Sequence, residues 1–196
     1  SLVAWGEAGV GVVATQSMVE VIYGPLGLSL MKAGNHPQTV LKTLLAADDN
    51  AALRQVAMVN TKGEVAVHTG SRCIAAAGHC SGDGFSVQAN MMKNETVWAA
   101  MKDAYLRCEG EFSDRLMAAL FAAQKEGGDI RGKQSACMLI VQAEPTDQTW
   151  QGVVLDLRVE DHKSPLEELS RLIRVHKAYD FMNAGDAFLA EENIDK

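Results

Sequence analysis

The order of strand-like and helix-like segments is the feature that most constrains the fold of this chain. Alternating apolar patterns that predict strands come in runs, and helical patterns come in separate runs between them. No β-α-β-α rhythm is present, and no Gly-x-Gly-x-x-Gly follows a predicted strand. This order favours an α+β protein, with antiparallel sheets covered by helices, over a nucleotide-binding parallel sheet.

The pattern within the strands predicts which faces are buried. From Phe85 to Asn90, apolar residues alternate with Ser86, Gln88 and Asn90, so one face of this strand is expected to be polar. Ser164 and Glu167 predict the capped start of the last helix. The predicted strands cover residues 1–16, 55–60, 64–69, 85–90, 135–141 and 152–159, and 70–84 is predicted as a loop. Helices are predicted over 95–107 and 113–125, after the turn at 23–25, and from a first turn that contains Pro37.

Composition narrows the class of protein. The 196 residues suffice for one domain, taken here as residues 1–196, and the net charge of −7 argues against binding a phosphate backbone. No run of 18 apolar residues predicts a membrane-spanning helix. The four cysteines contain no Cys-x-x-Cys pair, and Cys73, His79 and Cys80 fit no common zinc spacing. We therefore expect a cytoplasmic protein with no metal and no cofactor.

The chain starts with Ser1, directly ahead of an apolar, strand-like run. A serine at a free amino terminus carries a nucleophilic hydroxyl together with an α-amine that can act as its base. Ser1 is therefore a candidate nucleophile. The alternative is that Ser1 only marks where the given chain begins.

Six phrases spread over nearly the whole chain together resemble one bacterial family, the "domain of unknown function 1028". Each phrase alone is weak, but jointly they are specific. They are WGEAGVGVVATQ at residues 5–16, YGPLGL at 23–28, HTGSRC at 68–73, QANM at 88–91, GGDIRGKQSA at 127–136 and DLRVEDH at 156–162.

The resemblance implies the fold of N-terminal-nucleophile (Ntn) hydrolases, a four-layer αββα sandwich of two antiparallel sheets. It also implies about thirty further residues ahead of the tryptophan phrase, enough for a strand hairpin and its connection. The chain is then expected to be the large fragment of a precursor that cleaves itself before Ser1. The short N-terminal fragment of that precursor is the expected bound partner.

The expected activity is amide hydrolysis on a small amide or peptide-like substrate, with Ser1 as the nucleophile. Asn90 is the first candidate for stabilising the oxyanion, because an amide at a strand end can present fixed N–H groups. His68 and Asp129 are the candidates for handling protons and for holding the terminal amine. The candidate substrate-binding residues are Thr15, Gln16, Tyr23, Thr69, Arg72 and Arg131.

Each of these assignments has an alternative. His68 can be a structural hydrogen-bonding residue, Asn90 can face solvent, and Asp129 can pair with Arg131 to stabilise a turn. The protein as a whole can be a non-catalytic binding or assembly scaffold, or its nucleophile can lie upstream of Ser1. A homo-oligomer is expected, and neither nucleic acid nor a membrane is expected as a partner.

Overall fold

The computed structural model describes residues 2–192. Its first four strands form one antiparallel sheet in the order β1-β2-β3-β4, called the main sheet below. The pairing of β3 with β4 confirms the hairpin predicted from residues 55–60 and 64–69. The strands are β1 (Ala4–Glu7), β2 (Gly11–Ser17), β3 (Arg54–Asn60) and β4 (Val65–Thr69).

The segment predicted as one strand over residues 1–16 instead contains the turn between β1 and β2. Gly9 has a φ of 72° and Gly11 a φ of 146°, conformations that side-chain-bearing residues rarely adopt. The Val10 N–H donates to the Glu7 carbonyl at 3.1 Å and closes the turn. The strand prediction is confirmed over β1 and β2, and it missed the turn between them because apolar alternation continues through the turn.

Two helices cover one face of the main sheet. They are α1 (Tyr23–Lys32) and α2 (Pro37–Ala46), and α2 begins with Pro37, whose missing N–H costs little in a first helical turn. Their apolar sides bury the residues of β2 and β3 that point toward them. The resulting cluster includes Val13, Leu28, Met31, Val40, Leu41, Val56 and Met58.

A second antiparallel hairpin contacts the other face of the main sheet. It consists of β5 (Gly78–Gly82) and β6 (Phe85–Ala89), so β5 lies inside the segment predicted as a loop. Glycine and small polar residues give β5 little intrinsic strand propensity, and its pairing with β6 determines its conformation. The outer side of this hairpin packs against α3 (Val97–Arg107), which is followed by α4 (Phe112–Lys125).

The last elements are a third hairpin and a long helix. Strands β7 (Ala136–Val141) and β8 (Val153–Val159) pair antiparallel, and β7 lies against β1. Helix α5 (Pro165–Glu192) packs its first turns on this hairpin and on α4. The apolar residues at this junction include Met117, Met138, Leu155, Leu169 and Ile173.

The described residues thus form a mixed α+β protein with several antiparallel sheets and five helices. Every strand pairing is antiparallel, which confirms the class predicted from the order of segments. Between residues 2 and 192, no helix combines the length and the apolarity needed to cross a lipid bilayer.

Candidate functional site

Polar side chains fill the space between the main sheet and the β5–β6 hairpin. The register of β2, β3 and β4 puts Gln16 opposite Gln55 and Gln55 opposite Thr69, so these three side chains share a sheet face. The polar face predicted for β6 points toward them. We call this set the polar layer, and its members are Gln16, Gln55, Thr69, His79, Gln88 and Asn90.

Gln55 is the centre of the polar layer and is fully buried. Its Nε2 lies 2.9 Å from Thr69 Oγ1, 3.1 Å from the Gly78 carbonyl and 2.9 Å from the Ala89 carbonyl. Because main-chain carbonyls can only accept, they fix which end of the Gln55 amide carries the nitrogen. The side chain therefore ties β3 and β4 to both strands of the hairpin.

The other end of the Gln55 amide accepts two hydrogen bonds. Gln16 Nε2 donates to Gln55 Oε1 at 2.7 Å, and Asn90 Nδ2 donates to the same oxygen at 3.0 Å. An amide nitrogen carries two hydrogens. Within residues 2–192, the second N–H of Asn90 has no acceptor, so it is available to a bound molecule.

Gln88 contributes an acceptor to the same layer. Its Nε2 donates to the Ala14 carbonyl at 3.2 Å. Its Oε1 is buried and has no hydrogen-bond partner among the described residues. A buried carbonyl without a donor is costly, so this oxygen is an unsatisfied acceptor inside the polar layer.

Thr69 connects the polar layer to His79, whose Nδ1 lies 2.8 Å from Thr69 Oγ1. The two N–H groups of Gln55 are shared between this hydroxyl oxygen and two main-chain carbonyls, and His79 Nδ1 is the acceptor that the described residues place within reach of the hydroxyl proton. We assign the hydroxyl proton to this bond, which leaves the ring proton of His79 on Nε2. Desolvation, and secondly the nearby His68, lower the pKa of His79, which favours the neutral ring.

A pocket of about 490 Å³ opens beside Thr69 and His79. Trp98 of α3 and Gly78 of β5 meet at its wall, where a Cβ on Gly78 would lie 2.6 Å from the indole ring. Only glycine permits this close approach. The pocket is lined by Thr69, Gly70, Ser71, Cys73, Ala75, Ala77, Gly78, His79, Glu95 and Trp98.

The structure places three predicted site residues on the opposite face of the main sheet. His68 pairs with Val56 in the register, and its Nε2 lies 2.8 Å from the Ala51 carbonyl. Thr15 is fully buried and donates to the Glu20 carbonyl at 3.3 Å. Tyr23 is also buried on that side. The fold therefore does not place His68, Thr15 and Tyr23 beside Asn90 and Thr69.

Tyr23 belongs to a buried ionic cluster. Arg54 donates from Nε to Asp48 Oδ2 at 2.7 Å and from Nη1 to the Met18 carbonyl at 2.7 Å. Tyr23 donates its hydroxyl to Asp48 Oδ2 at 3.1 Å. The pKa of Tyr23 is raised, first by burial and then by the hydrogen bond to Asp48. The cluster ties α1 to the start of β3.

This cluster predicts a dependence of stability on pH. The hydrogen bond from Arg54 is the largest cause lowering the pKa of Asp48 to about 2, below its value of about 3.9 in an unfolded chain. The folded state therefore binds fewer protons, and this stabilisation is complete above about pH 4 and lost as the pH falls toward 2. Urea unfolding across this range should show a shallower pH dependence for Asp48→Asn than for the wild type. Identical pH profiles would contradict the assignment.

Asp129 and Arg131 form an ion pair with each other. Arg131 donates from Nε at 2.9 Å and from Nη2 at 2.6 Å to the two carboxylate oxygens, and its backbone N–H donates at 2.8 Å. The Arg131 hydrogen bond is the main cause of a lowered pKa at Asp129. The pair lies in the segment beside Met91, since the Ile130 N–H donates to the Met91 carbonyl at 2.9 Å.

The remaining predicted residues are placed as follows. Arg72 is exposed, and its backbone N–H donates to the Ala52 carbonyl at 2.8 Å. Ser1 lies outside the described residues. Cys73 Sγ contacts the Arg54 carbonyl at 3.3 Å, and Cys80 packs in the apolar cluster under α3, so neither joins His79 in a metal-binding arrangement.

Sequence reasoning missed three members of the polar layer. Gln55 was predicted only as the first residue of a strand, Gln88 only as part of a polar strand face, and His79 only as a rejected zinc ligand. One signal in the sequence could have revealed them: residues 85–90 have a polar side. If another sheet covers that side, polar residues of that sheet must face it. A polar residue at the matching register position in a neighbouring strand, such as Gln55, was the candidate to look for.

Comparison with known proteins identifies the family. A family model described as "Family of unknown function (DUF1028)" matches residues 1–169. The crystal structure of protein SPO2555 from Silicibacter pomeroyi, assigned to DUF1028, superposes with a TM-score of 0.78 at 27% sequence identity. The match covers 89% of this chain and 73% of that one. No curated protein matches the chain. Because the family match extends over most of its length, the chain belongs to the DUF1028 family.

Proposed function

We propose that this protein is an amidohydrolase of the Ntn type, built as a four-layer αββα sandwich. The layer order is supported by contacts described above. Helices α1 and α2 lie on one face of the main sheet, the β5–β6 hairpin lies on the other, and α3 covers the outer side of that hairpin. In the same way, the β7–β8 hairpin lies between a strand of the main sheet, β1, and an outer helix, α5.

The polar layer is the observation that carries the proposal. Two sheets that pack only for stability bury apolar side chains between them. Here the facing positions are amides, a hydroxyl and an imidazole. Asn90 retains a free N–H and Gln88 a free buried carbonyl among the described residues. The carbonyl oxygen of a substrate amide is an acceptor that complements the free N–H of Asn90.

The proposed reaction begins with attack of the Ser1 hydroxyl on the amide carbonyl carbon. The α-amine takes the hydroxyl proton and later delivers it to the leaving nitrogen as the C–N bond breaks. Water then hydrolyses the ester and restores the serine. The Thr15 N–H donates to the Val3 carbonyl at 3.0 Å, so residue 3 continues the pairing of β1 with β2.

In this mechanism, Asn90 donates its free N–H to the oxyanion. The variant Asn90→Ala should lose about a hundredfold or more in kcat/KM, because one oxyanion donor typically contributes that much. The measurement is release of amine from a panel of small amides and dipeptides. Asn35→Ala, which removes one side-chain hydrogen bond, to the Leu30 carbonyl, far from the polar layer in sequence, should keep full activity.

The same protein, expressed from its full-length gene, tests the nucleophile. Intact mass should show cleavage before Ser1, and Ser1→Ala should leave one uncut, inactive chain. A β-lactone probe, which acylates nucleophilic hydroxyls, should modify Ser1 in a peptide map. Modification of a residue upstream of Ser1 would instead identify that residue as the nucleophile. Absence of both modification and hydrolysis would contradict the amidohydrolase proposal and favour a non-catalytic scaffold.

A further inference from the structure

Two residues that line the pocket beside the polar layer have no role in the proposed reaction. They are Glu95, which precedes α3, and Trp98, in the first turn of that helix. Glu95 is the single carboxylate among the pocket-lining residues, and no lysine or arginine lines the pocket. The chain as a whole carries a net charge of −7. Both the local and the overall charge therefore favour a cation.

The carboxylate of Glu95 is available to a ligand. Its side chain is exposed, and among residues 2–192 no hydrogen bond or ion pair involves it. Thr96, the next residue, is engaged with Glu126 instead. A position ahead of a helix also lets Glu95 interact favourably with the helix dipole, so a test must separate this structural role from binding.

The Trp98 ring lines the same pocket as this carboxylate. It is half-buried, and its contact with Gly78 leaves no room for a Cβ there. A fixed indole ring attracts cations through its negative face. A carboxylate and an indole in one pocket form a pair of groups suited to a protonated amine.

His79 gives the same pocket a hydrogen-bond donor. With the Thr69 hydroxyl assigned as the donor to Nδ1, His79 carries its proton on Nε2. This N–H can donate to a carbonyl oxygen. The pocket thus presents a donor together with a negative charge and an aromatic ring.

We propose that this pocket binds amides that also carry a protonated amino group, with Glu95 and Trp98 holding the ammonium end and His79 donating to a carbonyl. The inference rests on the proposed function only in treating the ligand as an amide. It narrows the substrate class from small amides in general to cationic ones.

Three probes of similar size test the proposal without requiring turnover. They are 4-aminobutanamide, which is cationic, pentanamide, which is neutral, and succinamate, which is anionic. NMR titration would follow the Trp98 indole N–H, assigned with a Trp98→Phe variant. The cation should bind about tenfold more tightly than pentanamide, as expected for one partly desolvated ion pair with an aromatic contact, and succinamate should bind most weakly.

Variants of Glu95 separate recognition from helix stability. Glu95→Gln should reduce the preference for the cation to less than about threefold, and Glu95→Lys should reverse it in favour of succinamate. Glu109→Gln, the same change beyond the other end of α3 and outside the pocket, should keep the tenfold preference. A purely structural Glu95 would alter the melting temperature and leave the preference among the three probes intact.

Equal binding of the three probes by the wild type, or a preference that survives Glu95→Gln, would overturn this inference. The two proposals fail separately. Cation-selective binding without hydrolysis of any amide would contradict the proposed function and leave the pocket assignment standing. Hydrolysis of neutral amides with no preference for cationic ones would contradict the pocket assignment alone.

Discussion

Replacing Gln55 with leucine should lower the free energy of unfolding by about 3–5 kcal/mol. The substitution keeps a side chain of similar size but removes both ends of the amide at the centre of the polar layer. Asn90 Nδ2, Gln16 Nε2 and two main-chain carbonyls then lose their Gln55 partner in a buried setting. Each unsatisfied buried group costs about 1–3 kcal/mol, and losses within one network are not additive.

Urea unfolding followed by circular dichroism measures this change. Gln55→Glu provides a second variant that preserves polarity and shape. It should be at least as destabilised, because a carboxylate oxygen would replace the nitrogen that faces the Gly78 and Ala89 carbonyls. Gln38→Leu, on the exposed side of α2, should change stability by less than about 0.5 kcal/mol. A loss below about 1 kcal/mol in both Gln55 variants would contradict the central role of this amide.

The second large effect is expected at Arg54. Arg54→Met should lower the free energy of unfolding by about 3–5 kcal/mol, because it leaves the Asp48 carboxylate poorly solvated and without its cation. The Arg54 side chain is 7% exposed and the Asp48 side chain 13%. Methionine fills much of the volume of the arginine stem, so the expected loss comes mainly from the unpaired charge.

The double variant Arg54→Met with Asp48→Leu distinguishes charge from packing. It removes the unpaired Asp48 carboxylate and should recover part of the stability lost in Arg54→Met alone. A double-mutant cycle measures this recovery. Arg107→Met serves as the control, since Arg107 and its partner Asp103 are 80% and 64% exposed and an exposed pair contributes at most about 1 kcal/mol. Equal losses for Arg54→Met and Arg107→Met would contradict the assignment.

The sequence predicted the elements whose pattern is local. The helices starting near residues 95 and 113 and the hairpin of β3 and β4 follow from apolar periodicity and from a turn at Gly63, whose φ is 77°. At the start of α5, the predicted role of Glu167 is taken by His162, whose Nδ1 accepts from the Ser164 N–H at 3.0 Å. A side chain outside the expected motif can accept the hydrogen bond from the same N–H group. The motif therefore predicts where the helix starts better than it predicts which side chain accepts that hydrogen bond.

The candidate site was less predictable because its members meet through the sheet register. Asn90, Gln16 and Thr69 were proposed from local context, and the structure brings them to one buried amide, Gln55. His68 is adjacent to Thr69 in sequence yet faces the opposite side of the sheet. Period-two alternation separates neighbours in this way, and only the pairing of strands reveals which residues share a face.

The polar layer also has a consequence for how the chain selects one pairing of its sheets. If β6 slid by one residue against the main sheet, Val87 and Ala89 would face the Gln55 amide, and Gln88 would enter the apolar cluster under α3. Every hydrogen bond from Gln55 to the hairpin would be lost in one step. Apolar surfaces tolerate small slips, whereas directional bonds with fixed partners do not. The amides between the sheets therefore favour one position of β6 against the main sheet during folding.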